Sequence, residues 1–294
     1  YKWPDFIERD LGISLKKLPE VIRPGEPIAK INNSAIEDLG LSKDTQVIAG
    51  MTDSNASIFS SGASIPGDLN STIGTTLVIK GITRNLVKDD LGRVYCHLHP
   101  EGSWLAGGAS STGGECLEYR FKGRDYGKMD QAASSLGPTG LLVYPLVGTG
   151  ERFPFIAKDA REFIVGEHNN ENQLYRGYLE GVSYLEKLSF EIMEELKIEI
   201  GNKIYITGGG AKSDIWSQIR ADILGKILIR PEVEDTAMGA AIIASSKIYF
   251  KDITEASKNM VRIESKFYPE GPSTRIYSGF YNSFKDELSK KGYI

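Results

Sequence analysis

Two cysteines, Cys96 and Cys116, are all that 294 residues contain. Their spacing fits no metal motif, and two thiols make no disulfide framework in a chain this long. A disulfide-built secreted scaffold is therefore excluded, and a reducing cytoplasm is the simplest setting. Histidine is as scarce, with three residues. His97 and His99 alternate along an expected strand and would face one side together, but a two-His metal site needs further ligands and none stand near in sequence. No Ser-His-Asp or Cys-His order is suggested. No apolar run approaches the ~20 residues that cross a membrane. Tyr1-Lys2-Trp3-Pro4-Asp5 carries no signal-peptide pattern, and without an initiating Met the chain is expected to be a processed or excised piece. Excess positive charge is also missing: the formal net charge is −4, which argues against a nucleic-acid partner held by bulk charge. Small anionic ligands stay open, because helix N-termini and glycine turns bind phosphate without net positive charge.

What the chain does have is glycine. Its 32 glycines cluster in turns rather than forming a low-complexity tract. Residues 1–46 read as connecting structure broken by Pro4, Pro19, Pro24 and Pro27, with a short capped helix at 33–40. A strand is expected at 46–49. From Gly62 the texture is β-rich, with runs at 70–73, 76–80, 94–98 and 104–106. Leu141–Pro145 reads as a buried strand. Leu174, Tyr178, Val182, Leu185, Leu188, Ile192 and Leu196 keep helical spacing and predict a long helix over 171–197. Gly177 and Gly181, one turn apart on it, permit close approach of a neighbour. Strands at 203–207 and 226–230 flank a helix whose apolar face is Ile215, Trp216, Ile219 and Ile223. A small-residue helix at 235–246 must pack tightly, and Tyr277, Tyr281 and Phe284 keep helical spacing in the tail. Strands followed by helices, with glycine turns between, indicate an α/β architecture.

Four stretches carry candidate chemistry. In Val47-Ile48-Ala49-Gly50-Met51-Thr52-Asp53-Ser54, a buried strand would deliver one carboxylate to a turn at a sheet edge just before a helix. Such an Asp can be a general base or an ordinary helix cap. Ile73-Gly74-Thr75-Thr76 lies between two β-like runs. It reads either as a β-hairpin turn or as a backbone cradle whose hydroxyls donate to phosphate oxygens. Gly208-Gly209-Gly210-Ala211-Lys212-Ser213 follows a strand and precedes a helix. Three consecutive glycines cost chain entropy, so something needs bare backbone there: a nucleotide phosphate, the edge of an adenosine, or close helix–strand packing. It is neither a Walker loop nor G-x-G-x-x-G. Gly107-Gly108 with Gly113-Gly114 forms a weaker turn of the same kind at a strand-to-helix junction.

Taken together, the Gly50–Ser54 segment, then Gly74-Thr75-Thr76, then the Gly208–Ser213 turn with Trp216 and Gln218, resemble the FGGY carbohydrate kinases. Gly150-Glu151-Arg152-Phe153-Pro154, Tyr178-Leu179-Glu180-Gly181-Val182 and Phe267-Tyr268-Pro269 resemble its xylulokinase-like branch. The resemblance covers essentially the whole chain and, within the branch, is nearest the xylulokinase- and ribulokinase-like proteins that act on ketopentoses. It implies an α/β, ribonuclease-H-like (actin-like ATPase) fold. Residues 1–61 would be the end of a first, sugar-binding domain, and residues 62–294 a complete second, nucleotide-binding domain. The cofactors implied are ATP and Mg²⁺, and the partners a small sugar and ATP, with a homodimer left open. Asp53 would take a proton from the sugar hydroxyl, with Thr52 beside it at the substrate. Gly74, Thr75 and Thr76 would line the phosphate path. Gly209, Gly210, Ala211 and Ser213 would border the nucleotide, although family members often carry Asn where Ser213 stands, and Gly114 would approach it too.

One departure is large. The family's first phosphate loop, an Asp-x-Gly-Thr/Ser turn near the N-terminus, has no counterpart here. Much of the sugar-binding domain is expected upstream of Tyr1, so this chain alone is expected to show weak or no kinase turnover, with nucleotide binding open.

Overall fold

The computed structural model describes residues 1–294. Its helices are α1 (Phe6–Arg9), α2 (Asn33–Leu39), α3 (Asp53–Ser60), α4 (Glu115–Arg120), α5 (Tyr126–Ser134), α6 (Glu171–Glu195), α7 (Asp214–Leu224), α8 (Thr236–Ser245), α9 (Ile253–Met260) and α10 (Gly271–Lys290). Its strands are β1 (Pro27–Lys30), β2 (Gln46–Ile48), β3 (Leu69–Ile73), β4 (Leu77–Thr83), β5 (Tyr95–Leu98), β6 (Trp104–Ala109), β7 (Leu142–Tyr144), β8 (Phe163–Val165), β9 (Lys203–Thr207), β10 (Ile227–Pro231) and β11 (Ile263–Phe267).

Seven strands form the central sheet in the order β11-β10-β9-β3-β4-β6-β5. β3, β4, β6 and β5 pair antiparallel in turn, whereas β3, β9 and β10 run parallel. Alternation along the strands feeds two cores. Leu69, Ile73, Leu77 and Ile79 face α6, α7 and α10 in the larger cluster. Ile82 and Leu105 face α3, α8 and α9 in the smaller one. No helix is long and apolar enough to cross a membrane.

The expected long helix is α6, capped by Asn170, whose side chain accepts from the Gln173 amide. It is buried nearly all round rather than along one stripe, because its polar residues have internal partners. Glu180 accepts from Arg176, Thr139 and Tyr277. Gly181 meets β7 so closely that a Cβ there would come 2.1 Å from the Val143 carbonyl oxygen. In the small-residue helix α8, a Cβ on Gly239 would come 2.0 Å from the carbonyl oxygen of Ala56 on α3.

Three expectations fail. The strand before Asp53 is not buried. β2 pairs only with β1, in a separate two-stranded sheet, and Val47 is 44% exposed. His97 and His99 do not share a face, because β5 ends at Leu98. His97 stays exposed on the strand while His99 turns inward against Phe59 at 5.3 Å between ring centroids. Gly107 and Gly108 form no turn. Both lie inside β6, paired with Lys80 and Ile79, and Gly108 is bare because a Cβ would strike the Phe153 ring at 2.6 Å.

Candidate functional site

The two principal glycine turns meet because β3 and β9 pair in parallel. Their carboxyl ends therefore open on the same edge, at the point where the sheet changes from antiparallel to parallel neighbours. Open α/β sheets bind ligands at such places. Gly208 holds φ 87° and ψ 177°, a region essentially reserved for glycine. A Cβ there would also lie 2.6 Å from the Ile73 carbonyl oxygen. Its amide donates to Glu234 Oε2 at 2.5 Å, which moors this turn to the segment ahead of α8.

Gly74-Thr75-Thr76 is at once a β3–β4 hairpin turn and an open cradle. The Gly74 amide closes it on the Thr76 carbonyl at 3.1 Å, while the amides of Thr75 and Thr76 meet no acceptor within the protein. Backbone donors presented this way suit phosphate oxygens. The Gly114 amide donates to the Gly74 carbonyl at 2.8 Å, and the Glu115 amide to Thr75 at 3.1 Å. Gly114 therefore braces the turn from behind and has no amide left to offer a ligand. A Cβ on it would come 2.7 Å from the Gly74 oxygen. This brace is itself anchored by buried Glu151, whose carboxylate accepts from Ser110 Oγ (2.9 Å), the Ser111 amide (2.6 Å), Thr112 Oγ1 (3.0 Å) and Tyr144 Oη (3.0 Å). Glu151 stood in the sequence as part of the Gly150–Pro154 segment that carries the family resemblance, and nothing local pointed to its burial.

Between the turns lies a cleft of about 430 Å³, within the ordinary range for small-molecule sites. It brings together Gly74, Thr75, Gly114, Gly209, Gly210 and Ser213. Thr76 and Ala211 are not on its lining: Thr76 closes the Gly74 turn, and Ala211 is buried, with its carbonyl taken by Arg230 at 2.7 Å. Lys212 is the one cationic side chain on the wall. The triple glycine does not run straight into a helix as expected. A 3₁₀ turn, Gly209–Lys212, intervenes, and α7 starts at Asp214. Ser213 caps α7, its Oγ accepting from the Trp216 amide at 3.1 Å, and Asp214 adds a carboxylate to the first turn. One donor of that helix end is thus satisfied, and the Asp214 carboxylate offsets part of its positive charge.

The sequence reading missed the far wall. Leu117 from α4, Tyr126 and Asp130 from α5 and Tyr175 from α6 line the cleft. Tyr126 and Tyr175 stack at 6.5 Å, and Tyr175 Oη donates to Asp130 at 2.7 Å. Burial, and then that carboxylate, raise the Tyr175 phenol above its usual value, so it stays a neutral donor. Tyr126 and Asp130 stand four apart, a helical spacing that could have flagged them.

Thr52 and Asp53 lie outside the cleft, at the start of α3. Thr52 is the extended residue at the N-cap position, and Asp53 is the first helical residue. Asp53 Oδ1 accepts from the Ser54 amide at 2.6 Å, which does part of a cap's work, while Oδ2 is free and the side chain is exposed. No group of three or more His, Cys, Asp or Glu stands together to hold a metal ion. The carboxylates therefore fit Mg²⁺ only as one brought in on nucleotide phosphates.

Residues 69–248 match the model of the FGGY family of carbohydrate kinases, C-terminal domain. The xylulose kinase of Bacillus subtilis (strain 168) is 27% identical over 97% of this chain and 59% of its own length. Among solved structures, the ligand-bound xylulose kinase from Lactobacillus acidophilus superposes with a TM-score of 0.86 at 20% identity, covering 98% of this chain and 60% of that one. The gluconate kinase from Lactobacillus acidophilus gives the same TM-score, 0.86, at 20% identity, with 98% and 60% covered. These likenesses establish the expected actin-like, ribonuclease-H-like fold. The chain spans about 60% of the length of the relatives it matches.

Proposed function

The chain belongs to the FGGY family of carbohydrate kinases, and on that premise we propose that it is the nucleotide-binding part of an enzyme that moves the γ-phosphate of ATP to a hydroxyl of a ketopentose such as D-xylulose or D-ribulose. The observation that carries the reading is the meeting of Gly74, Thr75, Gly114, Gly209, Gly210 and Ser213 in one cleft, although the turns that bear them lie far apart in sequence. Residues 1–61 are read as the end of the sugar-binding domain and 62–294 as the nucleotide-binding domain.

The free amides of Thr75 and Thr76 would hold phosphate oxygens, and Thr75 Oγ1 would add a hydroxyl donor. Gly209, Gly210 and Ser213 would lie along the nucleoside, with Ala211 holding that turn from below. Asp53 Oδ2, exposed and unengaged, would accept the proton of the sugar hydroxyl, with Thr52 beside the substrate. Mg²⁺ on the phosphates supplies charge neutralisation. Phosphoryl transfer depends chiefly on such positioning and charge, so one base with backbone donors is a sufficient protein contribution.

A second acceptor class has its own support: the gluconate kinase from Lactobacillus acidophilus matches this fold as closely as the xylulose kinase from that organism does. The test is turnover of the full-length protein with ATP and a panel of D-xylulose, D-ribulose, gluconate, glycerol and hexuloses. Activity on a ketopentose above the rest is the expected result. Preference for gluconate or glycerol moves the substrate, and no turnover on any acceptor leaves a nucleotide-binding module without transfer activity.

A further inference from the structure

A lysine stands in an otherwise apolar stretch of β4. Lys80 is the fourth residue of β4, among Leu77, Val78, Ile79, Gly81 and Ile82, and is 6% exposed. Its ladder partners are Asn70 on β3 and Gly107 on β6, and the glycine leaves that flank without a side chain. Lys80 Nζ reaches up to α3. It donates to the Ser54 carbonyl at 2.6 Å and to Asn55 Oδ1 at 2.8 Å. The Asn55 amide group in turn donates to Thr52 Oγ1 at 3.0 Å. Thr52 and Ser54 bracket Asp53, so one ammonium grips both sides of it, Ser54 directly and Thr52 through Asn55. The charged groups facing Lys80 are Asp53 on α3 and His97 on β5. Burying an ammonium is costly, and a Met or Leu would fill this strand position without that cost.

We propose that Lys80 is a positioning residue for Asp53: it ties the first turn of α3 to the strand that leaves the phosphate turn, so that Asp53 and Gly74–Thr76 keep one geometry. β4 begins at Leu77, directly after Thr76, so the tie and the turn share a strand. The inference rests on the reading of Asp53 as the base. Burial, offset in part by the Asp53 carboxylate, brings the Lys80 ammonium down to about 8. The tie therefore loses its charge in the mildly alkaline range.

The experiment uses the full-length protein with ATP and D-xylulose, or the acceptor that the panel selects. Lys80→Met is expected to lower kcat about ten- to a hundredfold, since small misplacements of reacting groups cost that much, and to leave KM for ATP within about twofold. Lys80→Arg should restore much of kcat. Because a guanidinium stays charged, it should also move to higher pH the alkaline fall in kcat expected near pH 8 from the Lys80 ammonium. Hydrogen exchange supplies a readout that needs no turnover: the amides of the first two turns of α3 should lose protection in Lys80→Met while those of α7 keep it. Native kcat in Lys80→Met, an unmoved alkaline limb in Lys80→Arg, or unchanged exchange on α3 each overturn the proposal. Asp53→Asn separates the two claims. If it turns over like the native protein, the Asp53 reading falls and takes this inference with it. If it is inactive while Lys80→Met is fully active, only the positioning role falls.

Discussion

Arg220 grips Glu186 with two parallel contacts, Nε to Oε2 and Nη2 to Oε1, both at 2.8 Å, and neither side chain is exposed. Ser71 Oγ donates to Glu186 Oε1 at 2.6 Å, so the pair fastens α6 and α7 to β3 two residues before the cleft begins. Removing one partner strands the other charge. Glu186→Ala is expected to cost about 3–5 kcal/mol in urea unfolding. The double change Glu186→Leu with Arg220→Met should cost much less, because it removes both charges and keeps the volume. Equal losses in the two variants would show that packing, not charge, governs the site.

Gly114 offers a test of the phosphate turn. In Gly114→Ala the new methyl starts 2.7 Å from the Gly74 oxygen, and the turn has to shift. ATP affinity by calorimetry should fall about tenfold, or ~1.4 kcal/mol. Gly137→Ala is the control, since a Cβ there meets nothing within 4 Å. Unchanged affinity in Gly114→Ala would detach this turn from nucleotide binding.

Asp53→Asn keeps the shape of the side chain and removes its basicity. In the full-length protein kcat should drop by about 100-fold or more, the usual scale for general-base catalysis, while ATP affinity stays near native. A variant with native kcat would take Asp53 out of the chemistry.

His99 predicts an acid limit. Burial holds its imidazole down to about 4, from 6.5. Nδ1 accepts from the Glu101 amide at 3.0 Å, and Nε2 has no partner. Between those two values the unfolded chain binds the proton that the folded one refuses, so stability rises with pH. Its contribution is fully present above about pH 6.5 and is lost as pH falls toward about 4, at most ~3 kcal/mol by linkage. Urea titrations across that window should show the loss in the native protein and a flatter profile in His99→Leu. Parallel profiles would assign the acid sensitivity elsewhere.

Local chemistry was legible in the sequence, and distant partnership was not. Spaced apolar residues announced α6, and the run of small residues announced the tight contact of Gly239 with Ala56. The glycine turns at 74 and 208 could be found because bare backbone leaves a mark in composition. Gly107 and Gly108 left the same mark for another reason: inside β6, a Cβ on Gly108 would strike the Phe153 ring and one on Gly107 the Ile79 carbonyl oxygen. Lys80 carried no signal beyond its place in the run at 76–80, since its partners on α3 lie 25 and 26 positions away. Val47 and Ile48 read as a core strand, but their separate two-stranded sheet contributes neither of them to the two cores. The wall formed by Tyr126, Asp130 and Tyr175 comes from two helices whose meeting no local pattern encodes.

The parallel pairing of β3 with β9 joins Thr72 to Thr207, 135 positions along the chain. During synthesis the phosphate turn therefore leaves the ribosome long before the turn that completes its cleft. The cleft between the two turns does not exist until β9 has emerged and docked. Ligand cannot guide the early steps, and a chain truncated before Gly208 would carry the cradle without the opposite wall.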